Sequence, residues 1–134
     1  MVLEATRKSM RGNKGRGTKP ELVVRKMLRE LGYPGYRLNW KKAPGRPDIA
    51  YPGRKLAIFV NGCFWHRCPS CNLELPKSNQ EFWEYKFKRN IERDRENIRD
   101  LKDRGWKVLV LWECDLKTNR VGITREKVEK FVGL

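Results

Sequence analysis

The feature that most constrains this chain is a cysteine-rich run from Phe59 to Cys71, which directly follows an apolar stretch. Two thiolates three positions apart can turn back onto one tetrahedral ion. The run holds three cysteines, and a fourth follows a second apolar segment; the set is Cys63, Cys68, Cys71 and Cys114. These residues predict one closed, structural zinc site. The alternative is two disulfides or scattered core thiols, but nothing here indicates secretion, where disulfides persist.

His66 is the only histidine, and it lies inside this cysteine run. It could be a zinc ligand, an ordinary packed histidine, or a catalytic base held by the neighbouring metal site. Four cysteines already fill a tetrahedral ion, and no other residue is expected to titrate near neutrality, which favours the base. Spacing alone leaves the three roles open.

The charge of the chain predicts an acidic partner. Its 31 Lys and Arg residues against 16 Asp and Glu give a net charge of +15, far more than solubility requires. Nucleic acid is the commonest partner of so basic a protein. No apolar run reaches membrane-spanning length, and the N-terminus does not read as a signal peptide. We therefore expect a cytoplasmic, nucleoid-associated monomer without a membrane partner.

The length of 134 residues suits one domain with its own core. Residues 1–17 are predicted to be a flexible, basic, DNA-contacting arm in which Met10 anchors to the body. Residues 18–134 are predicted to form a single α/β domain, a mixed sheet with helices against it. Helices are expected at 18–32, 80–104 and 124–132, and extended segments at 33–40, 48–51, 55–60 and 106–112, the last buried on both faces.

Two acidic residues, one in the first predicted helix and one near a predicted strand, can be explained by local structure alone. Glu21 follows Thr18 by three positions, as in a capping box, and this explains it completely. Asp48 follows Pro47 at the mouth of a strand, where it would suit a magnesium ligand in a nuclease. An aspartate that caps a turn is the alternative, and the local sequence does not separate the two.

Asp94 interrupts the apolar stripe of the long helix. The stripe steps by three and four residues through Trp83, Phe87, Ile91, Ile98 and Leu101. A carboxylate on such a face is costly unless it is paired. His66 is the preferred partner, because a carboxylate on one imidazole nitrogen fixes the tautomer. Beside the stripe, Lys86, Asn90 and Arg93 form a polar row that could face DNA.

Seven short segments, in order along the chain, resemble one known family. They are Ala5-Thr6-Arg7-Lys8-Ser9-Met10-Arg11, Thr18-Lys19-Pro20-Glu21, Pro44-Gly45-Arg46-Pro47-Asp48, Gly62-Cys63-Phe64-Trp65-His66, Glu81-Phe82-Trp83, Asn90-Ile91-Glu92-Arg93-Asp94 and Trp112-Glu113-Cys114. The family is that of the very-short-patch repair (Vsr) endonucleases. The resemblance implies a restriction-endonuclease-like fold and magnesium-dependent nicking of one DNA strand at T:G mismatches left by deamination of 5-methylcytosine.

Carried over position by position, the resemblance implies an active site. Asp48 resembles the magnesium ligand, and Val60 stands where a main-chain carbonyl also binds the metal. His66 resembles the general base, with Asp94 as its carboxylate partner. Glu21 resembles an active-site acid that binds metal-bound water, which extends its role beyond capping.

The resemblance also implies a surface that reads double-stranded DNA with a T:G mismatch. Three aromatics match those that the family inserts into the base stack: Phe64, Trp65 and Trp83. In a strand or loop, the adjacent Phe64 and Trp65 could not both face one core. Three further residues correspond to positions near the mismatched pair: Met10, Lys86 and Asn90. Mismatch-repair proteins are candidate partners, although the sequence identifies none.

The chain departs from the family pattern and from that of restriction enzymes, and the second departure disfavours a standard restriction nuclease. Asn61 stands where members often carry a histidine, the zinc set is all cysteine, and the acid-x-lysine pair of restriction enzymes is absent. The same active site would serve a homing-type or restriction-associated nuclease. A zinc-stabilised DNA-binding module without catalysis is disfavoured, because such a module needs no inward carboxylate.

Overall fold

The structure, a computed structural model, describes residues 18–134. The predicted arm at residues 1–17, with Met10, lies outside the described residues. Within the described part, the α-helices and strands follow in the order α1 (Lys19–Glu30), β1 (Arg37–Leu38), β2 (Ile49–Tyr51), β3 (Leu56–Asn61), α2 (Cys63–His66), α3 (Gln80–Asp103), β4 (Lys107–Trp112) and α4 (Val121–Val132). None of these helices combines the length and apolarity needed to span a bilayer.

The strands form one mixed sheet in the order β1-β2-β3-β4. The first three strands are antiparallel to their neighbours, whereas β3 and β4 are parallel. A parallel pair requires a long crossover, and the chain from α2 through α3 supplies it. The predicted mixed sheet flanked by helices is confirmed.

Both faces of β3 are covered, because alternate side chains of a strand point to opposite faces. Leu56 and Ile58 pack in one cluster with residues of α1 and α4. Ala57 packs on the other face with Leu101 of α3. The sheet therefore lies between α1 and α4 on one side and α3 on the other.

The last strand packs on both faces, as expected, but it is less buried than predicted. Leu111 is buried, but Val108, Leu109 and Val110 are only half-buried. The reason is that β4 lies at the edge of the sheet, with β3 as its one neighbour. A continuous apolar run does not distinguish a central strand from an edge strand that is covered on both faces.

The predicted core stripe of the long helix is only partly buried. Phe87 and Leu101 are buried, whereas Ile91 and Ile98 are half-buried. A helix of 24 residues spans about 36 Å. The middle of α3 therefore borders an open cleft rather than the core.

Candidate active site and metal centre

A cleft of about 520 Å³ opens where the start of α1, the end of β3 and the middle of α3 meet. These three elements bring together residues that are far apart in the sequence. The structure brings most of the predicted site residues to its lining: Glu21, Asp48, Val60, Trp65, His66, Lys86, Asn90 and Asp94. Phe64 and Trp83 are not among the lining residues, and the four cysteines form a separate cluster.

Asp48 lies just before β2 and points toward the neighbouring strand β3. The backbone N–H of Val60 donates a hydrogen bond of 2.7 Å to Asp48 Oδ2. The pKa of Asp48 is raised to about 6, mainly by burial and also by the nearby negative charge of Glu21, against the lowering effect of the Val60 N–H. An ionised carboxylate held in such surroundings is costly, and a bound cation would offset that cost.

Glu21 is 4% exposed, in the first turn of α1. Thr18 is the N-cap residue and Pro20 lies in the first turn, as predicted, but the Thr18 side chain makes no capping hydrogen bond. The reciprocal capping box is therefore not formed. Arg25, one turn later, donates a hydrogen bond of 3.3 Å to Glu21 Oε2. Glu21 thus contributes a second carboxylate beside Asp48.

His66 and Asp94 form a close pair in the same cleft. Nδ1 of His66, at the end of α2, lies 2.6 Å from Oδ2 of Asp94, in the middle of α3. The side chains are 32% and 29% exposed, so the pair faces the cleft and not the core. Because an ionised carboxylate only accepts hydrogen bonds, the Nδ1–H donates to Asp94 and Nε2 remains available to accept a proton.

The four cysteine thiols gather into one cluster, in which all sulfur atoms lie within 4.8 Å of one another. The Sγ atoms of Cys68 and Cys114 are 3.7 Å apart. Two sulfurs bound to one tetrahedral zinc ion stand about 3.8 Å apart, which fits this spacing. All four thiols are free, so the alternative of two disulfides is not adopted. The cluster could hold a metal ion, and His66 is not part of it.

The cysteine cluster joins two distant segments beside the cleft. Cys63 begins α2, whereas Cys114 follows β4. Burial raises the pKa of Cys63, and it raises that of Cys114 to about 11. The pKa of Cys68 is lowered, because hydrogen bonds from the backbone N–H groups of Cys71 and Ser70 outweigh the raising effect of burial. Such thiols suit a cation that binds them as thiolates, since metal binding displaces their protons.

The aromatic side chains form a cluster between α2 and α3. Phe64 and Trp65 lie in a short helix, not in a strand or loop, and both contact Trp83. With Phe87 they form ring pairs whose centroids are 5.1 to 6.1 Å apart. Only Phe87 is buried. The ammonium of Lys86 lies 5.6 to 5.8 Å from three of the surrounding rings.

Sequence reasoning missed several polar residues that line the cleft, among them Arg46, Asn97 and Glu113. Oε1 of Glu113 accepts a hydrogen bond of 3.3 Å from the backbone N–H of Cys63, which connects the cleft to the cysteine cluster. Arg46 and Glu113 belong to segments already quoted, but charged residues are so common in this chain that neither stood out. Asn97 carried no signal, since a polar residue on a helix is ordinarily solvated.

Comparisons with known proteins give a consistent assignment. The family model described as DNA mismatch endonuclease Vsr matches residues 2–73. Type II nicking enzyme V.NmeAIP of Neisseria meningitidis is 45% identical over 86% of this chain and 80% of its own length. Type II nicking enzyme V.XorIIP of Xanthomonas oryzae is 41% identical over 84% and 82%. DNA mismatch endonuclease Vsr of Escherichia coli is 38% identical over 85% and 73%.

Proposed function

The chain belongs to the Vsr family of DNA mismatch endonucleases, and we propose that it nicks one strand of duplex DNA at T:G mismatches that arise from deamination of 5-methylcytosine. The observation that carries the proposal is the His66–Asp94 pair, at 2.6 Å, in the same cleft as Asp48 and Glu21. A DNA-binding module without catalysis would not need a paired imidazole beside two carboxylates. We further propose that the domain has a restriction-endonuclease-like fold, with which the mixed sheet flanked by helices is compatible.

The donor set in the cleft fits magnesium, which prefers oxygen ligands. Asp48 would hold the ion, since only Oδ2 of its carboxylate is occupied by the Val60 N–H. The main-chain carbonyl of Val60 would be a further ligand. When bound, magnesium supplies Lewis-acid stabilisation of the charge that develops on the phosphate.

The protein side chains then act on water and the phosphodiester. Asp94 holds the imidazole of His66 so that Nε2 takes a proton from a water molecule. The water oxygen forms a bond to phosphorus, and the bond from phosphorus to the leaving oxygen of the sugar breaks. That oxygen keeps the bonding electrons and takes a proton from solvent water. Glu21 accepts a hydrogen bond from water at this site and keeps it oriented.

The cysteine cluster is proposed to be a structural zinc site. Purified protein should contain about one zinc ion per chain, and Cys114→Ala should be insoluble or melt far earlier, because binding energy at such sites contributes to folding. Ser70→Ala changes an exposed side chain within the same loop and is the control. Elemental analysis and thermal melts test this, and a well-folded preparation without zinc would contradict it.

The aromatic cluster is proposed to open the base stack beside the mismatch. Trp65 is half-buried and lines the cleft, whereas Tyr85 is 67% exposed on α3. Unstacking costs a few kcal/mol and less at a mismatch, so Trp65→Ala should lower nicking at T:G by about 10-fold or more. Tyr85→Ala should stay within about twofold of wild type.

Thermal melts and binding of matched DNA separate the wedge from a structural role. Trp65→Ala should keep its salt-dependent binding to matched DNA, which comes from Lys and Arg contacts to phosphates. A variant that is stable and prefers mismatched DNA as strongly as wild type would remove Trp65 from recognition. A variant that unfolds would assign it to packing.

The function itself is tested on duplexes in which each strand is labelled separately. With magnesium, a denaturing gel should show one cut strand at the T:G site and an intact complement. With a chelator, both strands should remain whole. Cleavage of both strands, or none with magnesium, would contradict the proposal.

A second candidate is nicking in association with a type II restriction system. It is favoured by relatives named Type II nicking enzymes. The same residues would serve both functions, so only the substrate separates them. Efficient cleavage of fully matched DNA at a fixed sequence would favour the second candidate.

A further inference from the structure

The cleft is acidic for a site that must admit DNA. Its acidic lining residues are Glu21, Asp48, Asp94 and Glu113. Each DNA phosphate carries a negative charge, so these carboxylates repel an approaching strand. Among residues 18–134, the cations that line the cleft are Arg46, Lys86 and Arg93.

Two of these cations are already engaged within the protein. Lys86 lies over aromatic rings. Arg93 donates a hydrogen bond of 2.6 Å to Oδ1 of Asn90. Within residues 18–134, the side chain of Arg46 makes no hydrogen bond, ion pair or ring contact. Of the three cleft cations, Arg46 is therefore the one whose side chain makes no contact of these kinds in the part of the chain that the structure describes.

The backbone of Arg46 is in an unusual conformation for arginine. Its φ is 47°, in the left-handed region. Glycine adopts this region freely and asparagine tolerates it, whereas a long side chain costs about 1–2 kcal/mol there. No hydrogen bond, ion pair or ring contact of the side chain within residues 18–134 offsets that cost, so polar contacts in this part of the chain do not explain an arginine at this position.

The backbone around Arg46 is firmly held. The N–H of Arg46 donates a hydrogen bond of 3.1 Å to the carbonyl of Ala43, and Pro47 is fully buried. Gly45 is so close to α3 that a Cβ there would lie 2.9 Å from Cβ of Asn97. The guanidinium is thus carried by a fixed turn, two residues before Asp48.

We propose that Arg46 binds a backbone phosphate of the cleaved strand at the cleft and so positions the scissile phosphate beside Asp48. A guanidinium on a fixed turn binds phosphate oxygens through a planar fork of N–H groups with little loss of entropy. This inference rests on the proposed nuclease function and adds a positioning residue to it.

The test compares three variants in two assays. Arg46→Gly removes the guanidinium and also relieves the left-handed strain, and Arg46→Lys keeps only the charge. Lys55→Gly is the matched control, because Lys55 is an exposed cation with φ 55° that does not line the cleft. Binding of mismatched DNA is measured at several salt concentrations without magnesium, and single-turnover nicking with it.

Arg46→Gly should melt no earlier than wild type and nick about 10- to 100-fold more slowly, which corresponds to one charge-assisted contact. The slope of its log binding constant against log salt concentration should become shallower by about 0.9, which corresponds to the loss of one phosphate contact. Arg46→Lys should keep the salt slope and recover part of the rate, and Lys55→Gly should nick like wild type.

A neutral methylphosphonate at single positions of the cleaved strand locates the contact. One position should slow wild type but leave Arg46→Gly unchanged. An Arg46→Gly variant with wild-type rate and salt slope would overturn the inference, and so would one that melts early. If wild-type protein binds mismatched DNA but does not nick it, the proposed function fails, while the salt slopes still decide whether Arg46 contacts phosphate.

Discussion

Asp48→Asn should lower nicking by about 10³-fold, or about 4 kcal/mol in the barrier, and at the same time stabilise the metal-free protein at pH 8. The amide keeps the size of the carboxylate and an oxygen that can accept the Val60 N–H hydrogen bond. It loses the negative charge that would hold magnesium. Nicking rates and thermal melts with and without magnesium measure both effects.

The sign of the stability effect follows from the pKa of Asp48. Its value is about 6 in the folded protein, against an ordinary value of 3.8. The folded state therefore binds the proton more tightly, and stability falls as pH rises from about 4 to about 6. Above that window, Asp48→Asn should be more stable than wild type by about 1–3 kcal/mol, and at pH 4 the two should be equal.

Magnesium provides the control for this prediction. Adding it at pH 8 should raise the melting temperature of wild type but not that of Asp48→Asn. If Asp48→Asn nicks at nearly the wild-type rate, the metal is held elsewhere. If the variant is less stable than wild type at pH 8, burial does not disfavour the Asp48 carboxylate.

Removing His66 should have the second large effect on nicking. His66→Ala should slow it by about 10²- to 10⁴-fold, the range of general-base catalysis. Asp94→Ala should also slow it, because the imidazole loses the partner that lies 2.6 Å from Nδ1. The double variant should be little slower than His66→Ala, since residues that act as a unit are non-additive.

Asp100→Ala is the matched control for Asp94→Ala, as Asp100 is an exposed aspartate on the same helix. It should nick like wild type. Single-turnover rates of wild type, the two single variants and the double variant complete the cycle. Losses that multiply in the double variant would mean that His66 and Asp94 act independently.

The features that the sequence predicts well are those with a physical conflict or a strict geometric requirement. Asp94 stands in an apolar stripe, and a carboxylate there requires a partner, which pointed to His66. The cysteine set predicted that two distant segments meet in one cluster, and the structure brings Cys63 and Cys114 together there. The apolar run at residues 55–60 placed β3 correctly to within a residue.

The errors have equally specific causes. The apolar run of β4 carries no information about which strands flank it, so its edge position was missed. A helix as short as α2, four residues long, has no periodicity to detect. Arg46 did not stand out because charged residues are common throughout this chain.

The most direct test of mismatch nicking is the single-turnover rate on two duplexes that differ in one base. One carries T:G and the other C:G at the same position, with each strand labelled and magnesium present. We predict that one strand of the T:G duplex is cut about 10²-fold faster than either strand of the matched duplex, because opening the stack costs less at a mismatch. Equal rates on the two duplexes, or cleavage of both strands, would contradict the proposed function.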